Sequence, residues 1–307
     1  MKIKKPFFWS RKNFFSLILY PLSLIAYLVN YIKKKLPKKK FKIKTICVGN
    51  VYLGGTGKTT LSIKINKILS KKNKTVFIKK KYLEQIDEQK ILKKNGNLIC
   101  FYERKDALLH AEKKGFSLAI LDDGLQQKDI HYDMRIVCFN SKEAIGNGFL
   151  LPAGPLRENI NEIKNYDAIF IIGEQKNHKL YSMLKQINKS SPIFECKYKP
   201  INLSRLSTKK KYLMFTGIGN PHEFEQTLNK YQFNVKKKFI YPDHYKFKTN
   251  ELNYMKKLAK DESLNLITTE KDFLRLNKND KRNVEFLNIE LKIKNQAKFE
   301  KFLKEQL

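Results

Sequence analysis

Short, largely apolar runs recur along the first part of the chain, and segments with a helical spacing of apolar positions fall between several of them. The runs lie at residues 44–48, 75–78, 98–101, 118–121, 135–139 and 168–172. A continuous apolar run is typical of a strand buried on both faces, and alternation with helices indicates parallel pairing. The pattern predicts an α/β fold, a mostly parallel sheet with helices on both faces.

A second set of apolar runs follows a less regular zone at residues 191–208. These runs lie at residues 212–215, 233–241, 265–268 and 284–293, again with helix-like segments between them. They predict a second, smaller α/β lobe, with a boundary near residue 200. We therefore expect three parts: an N-terminal segment at residues 1–40, a larger sheet domain at 41–200 and a C-terminal lobe at 201–307.

Residues 13–32 contain no charged side chain, which is long enough for a transmembrane helix. Pro21 interrupts the stretch, and Tyr20, Tyr27 and Tyr31 carry polar tips suited to a membrane interface. Basic residues flank both ends, so the positive-inside rule gives no orientation. We favour a membrane-associated helix lying in the interface over a full span or a helix packed in the core. The flanking bases are Lys2, Lys4, Lys5, Arg11 and Lys12 before the stretch, and Lys33–Lys35 and Lys38–Lys40 after it.

Positive charge is concentrated at the N-terminal end of the chain. The formal net charge is +34, and all 22 Lys and Arg residues of positions 1–83 precede the first acid, Glu84. Such a field attracts anionic partners, namely nucleic acid, acidic lipid or a phosphorylated substrate. Because the basic run flanks an apolar stretch, we expect a membrane surface and a phosphorylated substrate, and no nucleic acid.

The four cysteines lie singly inside strand-like runs, and no two of them form C-x-x-C. This placement indicates small buried hydrophobic residues in a reducing compartment and argues against a zinc site. They are Cys47, Cys100, Cys138 and Cys196.

A glycine-rich loop joins the first strand-like run to a segment with helical spacing, and residues 48–60 read VGNVYLGGTGKTT. In such a loop the backbone amides and the helix N-terminus bind phosphate, Lys58 reaches the β- and γ-phosphates, and the Thr59 hydroxyl can ligate Mg²⁺. The strict pattern G-x-x-x-x-G-K-[ST] has glycine where this chain has Tyr52. We predict an ATP-binding loop formed by Tyr52, Leu53, Gly54, Gly55, Thr56, Gly57, Lys58 and Thr59.

Two acids end the apolar run at residues 118–121, namely Asp122 and Asp123. Carboxylates at the carboxyl end of a parallel strand lie where open α/β sheets bind ligands. In nucleotide-binding proteins such an acid holds Mg²⁺, directly or through water. Together with Thr59, these two aspartates form the predicted magnesium site.

Six motifs spread along the chain point to one family. They are V-G-N-x-x-x-G-G-T-G-K-T at 48–59, D-D-G-x-Q at 122–126, G-N-G-x-L-L-P-A-G-P-L-R-E at 146–158, G-I-G-N-P at 217–221, P-D-H at 242–244 and T-E-K-D at 269–272. Together they resemble the tetraacyldisaccharide 4'-kinase family of lipid A biosynthesis, in which the position of Tyr52 usually lacks the strict glycine. Thr60 stands where that family usually has Pro, and Gln127 where it usually has His.

The resemblance implies an ATP- and Mg²⁺-dependent kinase. Its acceptor would be the 4'-hydroxyl of a glycolipid, a tetraacyldisaccharide 1-phosphate. It also fits a basic, membrane-associated N-terminal helix, and hence a location at the cytoplasmic face of the inner membrane. No protein partner is predicted.

The resemblance further assigns proton removal from the acceptor hydroxyl to Asp87, paired with His244 as an Asp–His dyad. A positioned base typically contributes about 10²–10⁴-fold in rate. The stretch between Lys79 and Gln89 is shorter than in the family, and its Gly and Pro frame is replaced. A shift of register would make Glu88 the base instead of Asp87, so both remain candidates.

Three further residues are predicted to contact the substrate. Arg157 and Glu158 end the proline–glycine string, where an arginine suits contact with a phosphate group. Arg104, just after the run at residues 98–101, is the third candidate.

The alternative function is a partition-type ATPase switch with a deviant phosphate-binding loop. Those proteins carry K-G-G-x-G-K-T-T, whereas Leu53 stands here in place of the first lysine. A basic nucleic-acid-binding ATPase is a third possibility, suggested by the net charge alone.

Overall fold

The computed structural model describes residues 6–82 and 86–307, so Lys2, Lys4 and Lys5 of the predicted basic flank, and Glu84, lie outside the described residues. The chain divides into two compact units. Of the described residues, the larger unit contains 6–81, 95–198 and 291–307, and the smaller unit contains 82, 86–94 and 199–290. Both units are thus discontinuous in sequence, unlike the contiguous parts expected at 41–200 and 201–307.

Strands and helices alternate along most of the chain. The strands are β1 (Lys44–Gly49), β2 (Thr75–Lys80), β3 (Leu98–Phe101), β4 (Leu118–Asp122), β5 (Met134–Asn140), β6 (Ala168–Ile172), β7 (Ile193–Pro200), β8 (Lys211–Thr216), β9 (Asn234–Ile240), β10 (Asn265–Thr269), β11 (Val284–Leu287) and β12 (Ile289–Ile293). The helices are α1 (Phe14–Ile18), α2 (Tyr20–Lys34), α3 (Lys58–Leu69), α4 (Ile86–Lys94), α5 (Arg104–Lys113), α6 (His178–Ile187), α7 (Pro221–Lys230), α8 (Thr249–Asp261), α9 (Glu270–Arg275) and α10 (Gln296–Gln306). Short 3-10 helices cover Phe7–Trp9, Ile160–Asn165 and Leu203–Arg205.

The larger sheet has eight strands in the order β12-β7-β6-β5-β1-β4-β2-β3. Pairing is parallel from β7 through to β3, which confirms the predicted mostly parallel α/β fold. The strand order changes direction around β1, which lies between β4 and β5. In open α/β sheets, ligands bind at the carboxyl ends of the strands at such a point.

The smaller unit has its own four-stranded parallel sheet, in the order β11-β10-β8-β9. Two buried apolar clusters form its core. The first includes Leu213, Phe215 and Met255, and the second includes Met214 and Leu228. This is the second α/β set that the apolar runs predicted.

Two sequence expectations were wrong in detail. The zone at residues 191–208 contains β7, whose side chains are alternately more and less buried, so that charged residues interrupt its apolar pattern. The run at 284–293 is two strands that belong to different sheets. Asn288 separates them, and its backbone pairs with Asn202 Oδ1 and with the amide of Ile201.

The uncharged stretch at residues 13–32 forms the two helices α1 and α2, with Pro21 in the first turn of α2. Serine and asparagine side chains of these helices face the rest of the larger unit, to which both helices belong. Ser16 and Ser23 are buried, Ser23 Oγ donates to Leu150 O at 2.8 Å, and Asn30 Nδ2 donates to Arg157 O at 3.0 Å.

The apolar side chains of these helices are exposed, which excludes a helix packed in the core. Those exposed by at least half include Phe14, Phe15, Leu17, Ile18, Leu22, Leu24, Ile25, Leu28 and Ile32. Within residues 6–82 and 86–307, no helix combines the length and the apolar content that crossing a membrane requires.

Candidate active site

The glycine loop runs from the end of β1 to the start of α3. Gly57 directly precedes α3 with a φ of 78°, in the left-handed region. A Cβ at Gly57 would lie 2.6 Å from the Tyr198 hydroxyl and 2.8 Å from Ile172 Cδ1. Both the backbone conformation and the available space therefore require glycine at this position. The N-terminus of α3 closes the loop, which is the arrangement that favours a phosphate.

Residues 155–157 hold the glycine loop by backbone pairing. Leu53 N donates to Pro155 O at 2.8 Å, and Arg157 N donates to Val51 O at 2.7 Å. These bonds come from the proline–glycine string at residues 146–158. One structural role of that string is therefore to fix the shape of the loop.

Side chains brace the same loop. Asn50 Nδ2 donates to the carbonyl oxygens of Tyr52 and Gly54, and Asn50 Oδ1 accepts from Arg157 Nη1 at 2.9 Å. The Tyr52 hydroxyl donates to Glu143 Oε2 at 2.6 Å. Sequence reasoning did not single out Asn50 or Glu143, although Asn50 stands inside the V-G-N motif.

Tyr52 was predicted to contribute to nucleotide binding as part of the loop. Its side chain is buried, and burial together with the bond to Glu143 raises the pKa of its hydroxyl well above the ordinary range. A neutral, buried hydroxyl that is already bonded to a carboxylate suits a brace. The contacts of Tyr52 thus favour a role in holding the loop.

Charged side chains and one threonine hydroxyl gather where β1 and β4 end. We call this group the nucleotide-loop cluster, and it consists of Lys58, Thr59, Lys79, Asp122, Asp123 and Arg157. Asp123 Oδ1 lies 2.6 Å from Arg157 Nη1 and 3.8 Å from Lys58 Nζ. Asp122 Oδ2 accepts from Thr59 Oγ1 at 3.2 Å. The structure therefore brings together the lysine, the threonine and both aspartates that the sequence predicted.

Asp123 is held ionised by its neighbours. Burial alone would raise the pKa of its carboxyl, but the positive charges of Lys58 and Arg157 outweigh burial and lower this pKa to about 2. Its backbone has a φ of 61°, and its amide donates to Val48 O at 2.8 Å. This left-handed turn directs the chain away from β4 immediately after the aspartate pair.

Lys79 is a member of this cluster that the sequence did not predict. Its ammonium lies 2.7 Å from Asp122 Oδ2, with side-chain exposures of 2% for Lys79 and 0% for Asp122. Three successive lysines, residues 79–81, follow the apolar run of β2. The three lysines look alike in the sequence, so the inward one could not be chosen among them.

The oxygens of this cluster fit a magnesium ion. Asp122 Oδ1 is buried and has no hydrogen-bond partner within the described part of the chain. Asp122 and the Thr59 hydroxyl supply the carboxylate and alcohol oxygens that accompany phosphate oxygens around Mg²⁺ in nucleotide-binding loops. Across residues 6–82 and 86–307, no group of three or more His, Cys, Asp or Glu side chains has metal-binding geometry. A site on this cluster would accordingly depend on the phosphates for further oxygens.

Two of the three predicted substrate contacts are engaged inside the protein. Glu158 is buried and accepts from Lys128 Nζ at 2.6 Å and from the Tyr166 hydroxyl. Arg104 donates from Nη2 to Asp123 O at 2.6 Å. These contacts favour positioning roles for Glu158 and Arg104.

Arg157 belongs to the nucleotide-loop cluster itself, so its predicted contact with phosphate stays a prediction that its location supports. Gln127, which stands where the resembled family usually has His, holds the Arg104 guanidinium, accepting from Nη1 at 3.2 Å.

A second charged group lies within the smaller unit. We call it the dyad cluster, and it consists of Asp87, His244, Lys271, Asp272 and Arg275. His244 Nδ1 and Asp87 Oδ1 are 3.2 Å apart, and Arg275 Nη2 lies 2.9 Å from Asp87 Oδ2. The structure thus brings Asp87 and His244 together, and both carboxylate oxygens of Asp87 have a partner.

The electrostatics of the dyad cluster favour the anionic form of Asp87. Its side chain is 1% exposed, and burial alone would raise its pKa. The hydrogen bond with His244 and the charges of Lys271 and Arg275 outweigh burial and hold this pKa well below the ordinary range. Conversely, the pKa of Lys271 is raised to about 12, because the charges of Glu88 and Asp87 outweigh its burial.

Glu88, the alternative base, has different contacts. Its Oε1 lies 2.8 Å from Lys271 Nζ, whereas the carboxylate that contacts the His244 ring is that of Asp87. The shortened stretch at residues 79–89 therefore still directs Asp87 to the histidine.

Asp272 and Arg275 are the parts of this cluster that sequence reasoning missed. Asp272 is fully buried and accepts from Thr216 Oγ1 at 2.6 Å, from Gly217 N at 3.1 Å and from Arg275 Nη1 at 2.7 Å. Arg275 Nη1 also donates to Gly217 O at 2.7 Å. The T-E-K-D motif contains Asp272, but Arg275 lies three residues beyond it and carried no signal of its own.

Comparisons with known proteins agree with the motifs. A family model described as tetraacyldisaccharide-1-P 4'-kinase matches residues 15–95 and 80–307. The curated tetraacyldisaccharide 4'-kinase of Pelagibacter ubique is 45% identical over 297 residues, which are 95% of this chain and 95% of that protein. The tetraacyldisaccharide 4'-kinase of Rickettsia akari is 34% identical over 96% of this chain and 95% of its own length.

A solved structure is similar over nearly the whole chain. It is the "apo" form of LpxK from Aquifex aeolicus in complex with ATP, which is 22% identical and superimposes with a TM-score of 0.73. The match covers 95% of this chain and 99% of that one. At this level of identity, the similarity establishes the fold.

Proposed function

This chain belongs to the tetraacyldisaccharide 4'-kinase family, and from that premise we propose how its two charged clusters divide the reaction. The reaction transfers the γ-phosphate of ATP to the 4'-hydroxyl of a tetraacyldisaccharide 1-phosphate, a precursor of lipid A. Family membership sets aside the partition-type ATPase considered from the sequence.

The nucleotide-loop cluster handles ATP. Phosphoryl transfer needs positioning and neutralisation of charge more than covalent chemistry. The backbone of residues 53–59 and the N-terminus of α3 receive the phosphates, and the Lys58 ammonium compensates charge that develops on the β- and γ-phosphates. Thr59 and Asp122 would hold Mg²⁺, which supplies further charge compensation when bound. The observation that carries this assignment is the convergence of Lys58, Thr59 and the two aspartates at the carboxyl ends of β1 and β4.

Arg157 both braces the glycine loop and adds positive charge to the nucleotide-loop cluster. Its amide holds the loop through Val51 O, and its guanidinium contacts Asp123 and Asn50. We assign to it the positioning of Asp123 and contact with a phosphate of the bound nucleotide, since its side chain remains 22% exposed.

Proton removal from the sugar hydroxyl is assigned to the Asp87–His244 dyad. A carboxylate whose pKa is held low is a weak proton acceptor by itself. Sharing the proton with the imidazole overcomes this weakness, because Asp87 compensates the charge that His244 gains. His244 is also the more accessible member, with 18% side-chain exposure against 1% for Asp87. Arg275 and Lys271 orient Asp87 and keep it ionised.

We place α1 and α2 at the cytoplasmic face of the inner membrane. Their polar side chains bond to the protein and their apolar side chains face outward, which suits a helix pair lying in the lipid interface. The basic residues that follow α2, Lys35 and Lys38–Lys40, suit anionic headgroups.

The transfer itself is tested with purified full-length protein, ATP and tetraacyldisaccharide 1-phosphate, with mass spectrometry of the lipid. The expected result is a product heavier by one phosphate, formed only when ATP, Mg²⁺ and the acceptor are all present. Hydrolysis of ATP without any phosphorylated lipid would contradict this function.

Membrane placement is tested by flotation with vesicles of anionic phospholipid. The double substitution Ile25→Glu and Leu28→Glu on the exposed face should abolish flotation and leave ATP affinity unchanged. The matched control, Lys38→Glu and Lys40→Glu, should weaken flotation at low salt only. If high salt alone removes the unsubstituted protein from vesicles, the apolar contact is wrong.

A further inference from the structure

Lys79 is a fully buried lysine in contact with the carboxylate that the magnesium site requires. It is the fifth residue of β2, and the register pairs its neighbour Ile78 with Leu121, the residue before Asp122. Lys79 and Asp122 thus lie side by side on adjacent strands, at the carboxyl end of the sheet. Their charged atoms are 2.7 Å apart in a nearly solvent-free environment.

The pair explains how Asp122 can be charged and buried at once. An isolated buried carboxylate is strongly disfavoured, whereas one paired with an ammonium is compensated. Asp122 Oδ2 accepts from both Lys79 Nζ and Thr59 Oγ1, so the carboxylate is oriented toward the start of α3.

The positive charge of Lys79 also affects how the triphosphate of ATP interacts with Asp122. An uncompensated carboxylate beside the glycine loop would repel the phosphates of ATP. Mg²⁺ usually offsets this repulsion, because it binds both the carboxylate and the phosphates. A lysine built into the sheet supplies positive charge at that carboxylate whether or not the metal is present.

We infer that Lys79 is a positioning residue that holds Asp122 and reduces the dependence of ATP binding on Mg²⁺. The inference rests on the proposed use of the glycine loop for ATP. It goes beyond that proposal because it gives this chain a fixed cation at the metal carboxylate, with a measurable consequence for the bound nucleotide. An ion pair with a purely structural role would affect stability and leave the metal dependence unchanged.

The test measures ATP affinity calorimetrically in excess Mg²⁺ and in EDTA, with the full-length protein. For Lys79→Met we expect the dissociation constant in EDTA to rise at least tenfold and the constant in Mg²⁺ to change less than threefold. Equal changes under the two conditions would overturn the inference. As a matched control, Lys80→Met removes the next lysine, which is 32% exposed and 3.5 Å from Glu103, and should alter neither constant.

Repeating the substitution in an Asp122→Asn variant shows whether Lys79 acts through Asp122 or directly on the phosphates. In Asp122→Asn there is no carboxylate charge to compensate, so adding Lys79→Met should leave the ratio of the two dissociation constants unchanged. An undiminished effect of Lys79→Met in that background would mean that Lys79 acts on the phosphates directly, and the inference would be wrong.

Two further measurements keep the outcome decisive. Binding of Mn²⁺ without nucleotide, followed by electron paramagnetic resonance, should be tighter in Lys79→Met, because the metal then meets an uncompensated carboxylate. If that variant does not fold, Lys79→Arg, which keeps the charge, should retain the wild-type ratio of ATP affinities, and a changed ratio would contradict the inference. Failure of the wild-type protein to bind ATP at all would instead overturn the proposed function.

Discussion

The nucleotide-loop cluster and the dyad cluster both bury aspartates among cations, but the chain assembles them in different ways. In the first, Asp122 and Asp123 are adjacent at the end of β4, and Lys58 lies at the start of a helix after the neighbouring strand. In the second, Asp87 on α4 meets His244 from a loop and Arg275 from α9. Lys58, Thr59 and the aspartate pair of the first cluster lie at the ends of paired neighbouring strands, whereas the second cluster depends on the packing of three distant segments.

The two clusters also differ in whether an aspartate oxygen is left without a hydrogen-bond partner among the described residues. In the nucleotide-loop cluster, Asp122 Oδ1 has no hydrogen-bond partner among the described residues, so an oxygen remains for a metal. In the dyad cluster, both oxygens of Asp87 are engaged, by His244 and by Arg275. The first arrangement suits a site that receives phosphates and a metal. The second suits a carboxylate that acts through the histidine.

Removal of the loop lysine should give the largest effect on the nucleotide-loop cluster. We expect Lys58→Ala to lower kcat at least about 10³-fold, since losing one preorganised charge at the transition state typically costs about 10²–10³-fold and Lys58 also helps to bind ATP. The measurement is lipid phosphorylation at saturating ATP. Lys67→Ala, an exposed lysine on the same helix, is the control and should be neutral. If the variant keeps more than about a tenth of the wild-type kcat, the activation free energy has risen by less than roughly 1.4 kcal/mol, and Lys58 does not have this role.

The dyad cluster should respond more in stability than in rate when its buried arginine is replaced. Arg275→Met leaves Asp87 and Asp272 without their shared cation, and breaking a buried ion pair costs about 3–5 kcal/mol. We expect that loss in urea unfolding, with kcat lowered only about tenfold because His244 still contacts Asp87. Arg282→Met, at an exposed position, provides the comparison. An unchanged unfolding midpoint would show that Arg275 is not part of the support of the cluster.

The two clusters also differ in how far the sequence predicted them. Lys58, Thr59, Asp122 and Asp123 follow from local patterns, because a strand end and a helix start fix their positions within a few residues. Asp87 and His244 carry no such pattern, and only the resemblance to a family linked them. Their partners are fixed by tertiary packing, so no sequence pattern distinguishes Arg275 from the many other basic residues.

The same limit applies to the fold. Parallel strands were predicted because they are continuous apolar runs, and β7 was missed because charged residues alternate along it. Lys79 was missed for a related reason, since a run of three lysines at a strand end reads as solvated unless the neighbouring strand supplies an acid. The outward apolar face of α2 followed from composition, but the inward polar residues Ser23 and Asn30 did not.

Acid should weaken both clusters through their aspartates, and the nucleotide-loop cluster gives a defined window. The folded-state pKa of Asp123 is about 2, below its ordinary value near 4, so its ionised form stabilises the fold above about pH 4. This contribution, on the order of 1–2 kcal/mol, is lost as the pH falls from about 4 to 2. Urea unfolding at pH 7 and near pH 2.5 should therefore show a smaller loss of stability for Asp123→Asn than for wild type. Equal losses would argue against the lowered pKa.

The smallest effect is expected at the alternative base. Because Glu88 contacts Lys271 while Asp87 contacts His244, Glu88→Ala should change kcat less than about threefold. Glu88→Gln, which keeps the shape of the side chain, should behave in the same way. A severe defect in Glu88→Ala together with a near-normal Asp87→Ala would show that the shortened stretch has shifted the register, with Glu88 as the base.

The most direct test of the division between the two clusters is a double-mutant cycle on Asp87 and His244, measured by single-turnover lipid phosphorylation at saturating ATP. Single turnover reports the transfer step even when product release limits the steady state. Asp87→Ala and His244→Ala should each lower the rate about 10²-fold or more and leave ATP affinity unchanged. The double variant should be little worse than either single one, because groups that act as a unit are not additive. Multiplicative losses, or a matching loss of ATP affinity, would contradict a dyad that shares the proton of the acceptor hydroxyl.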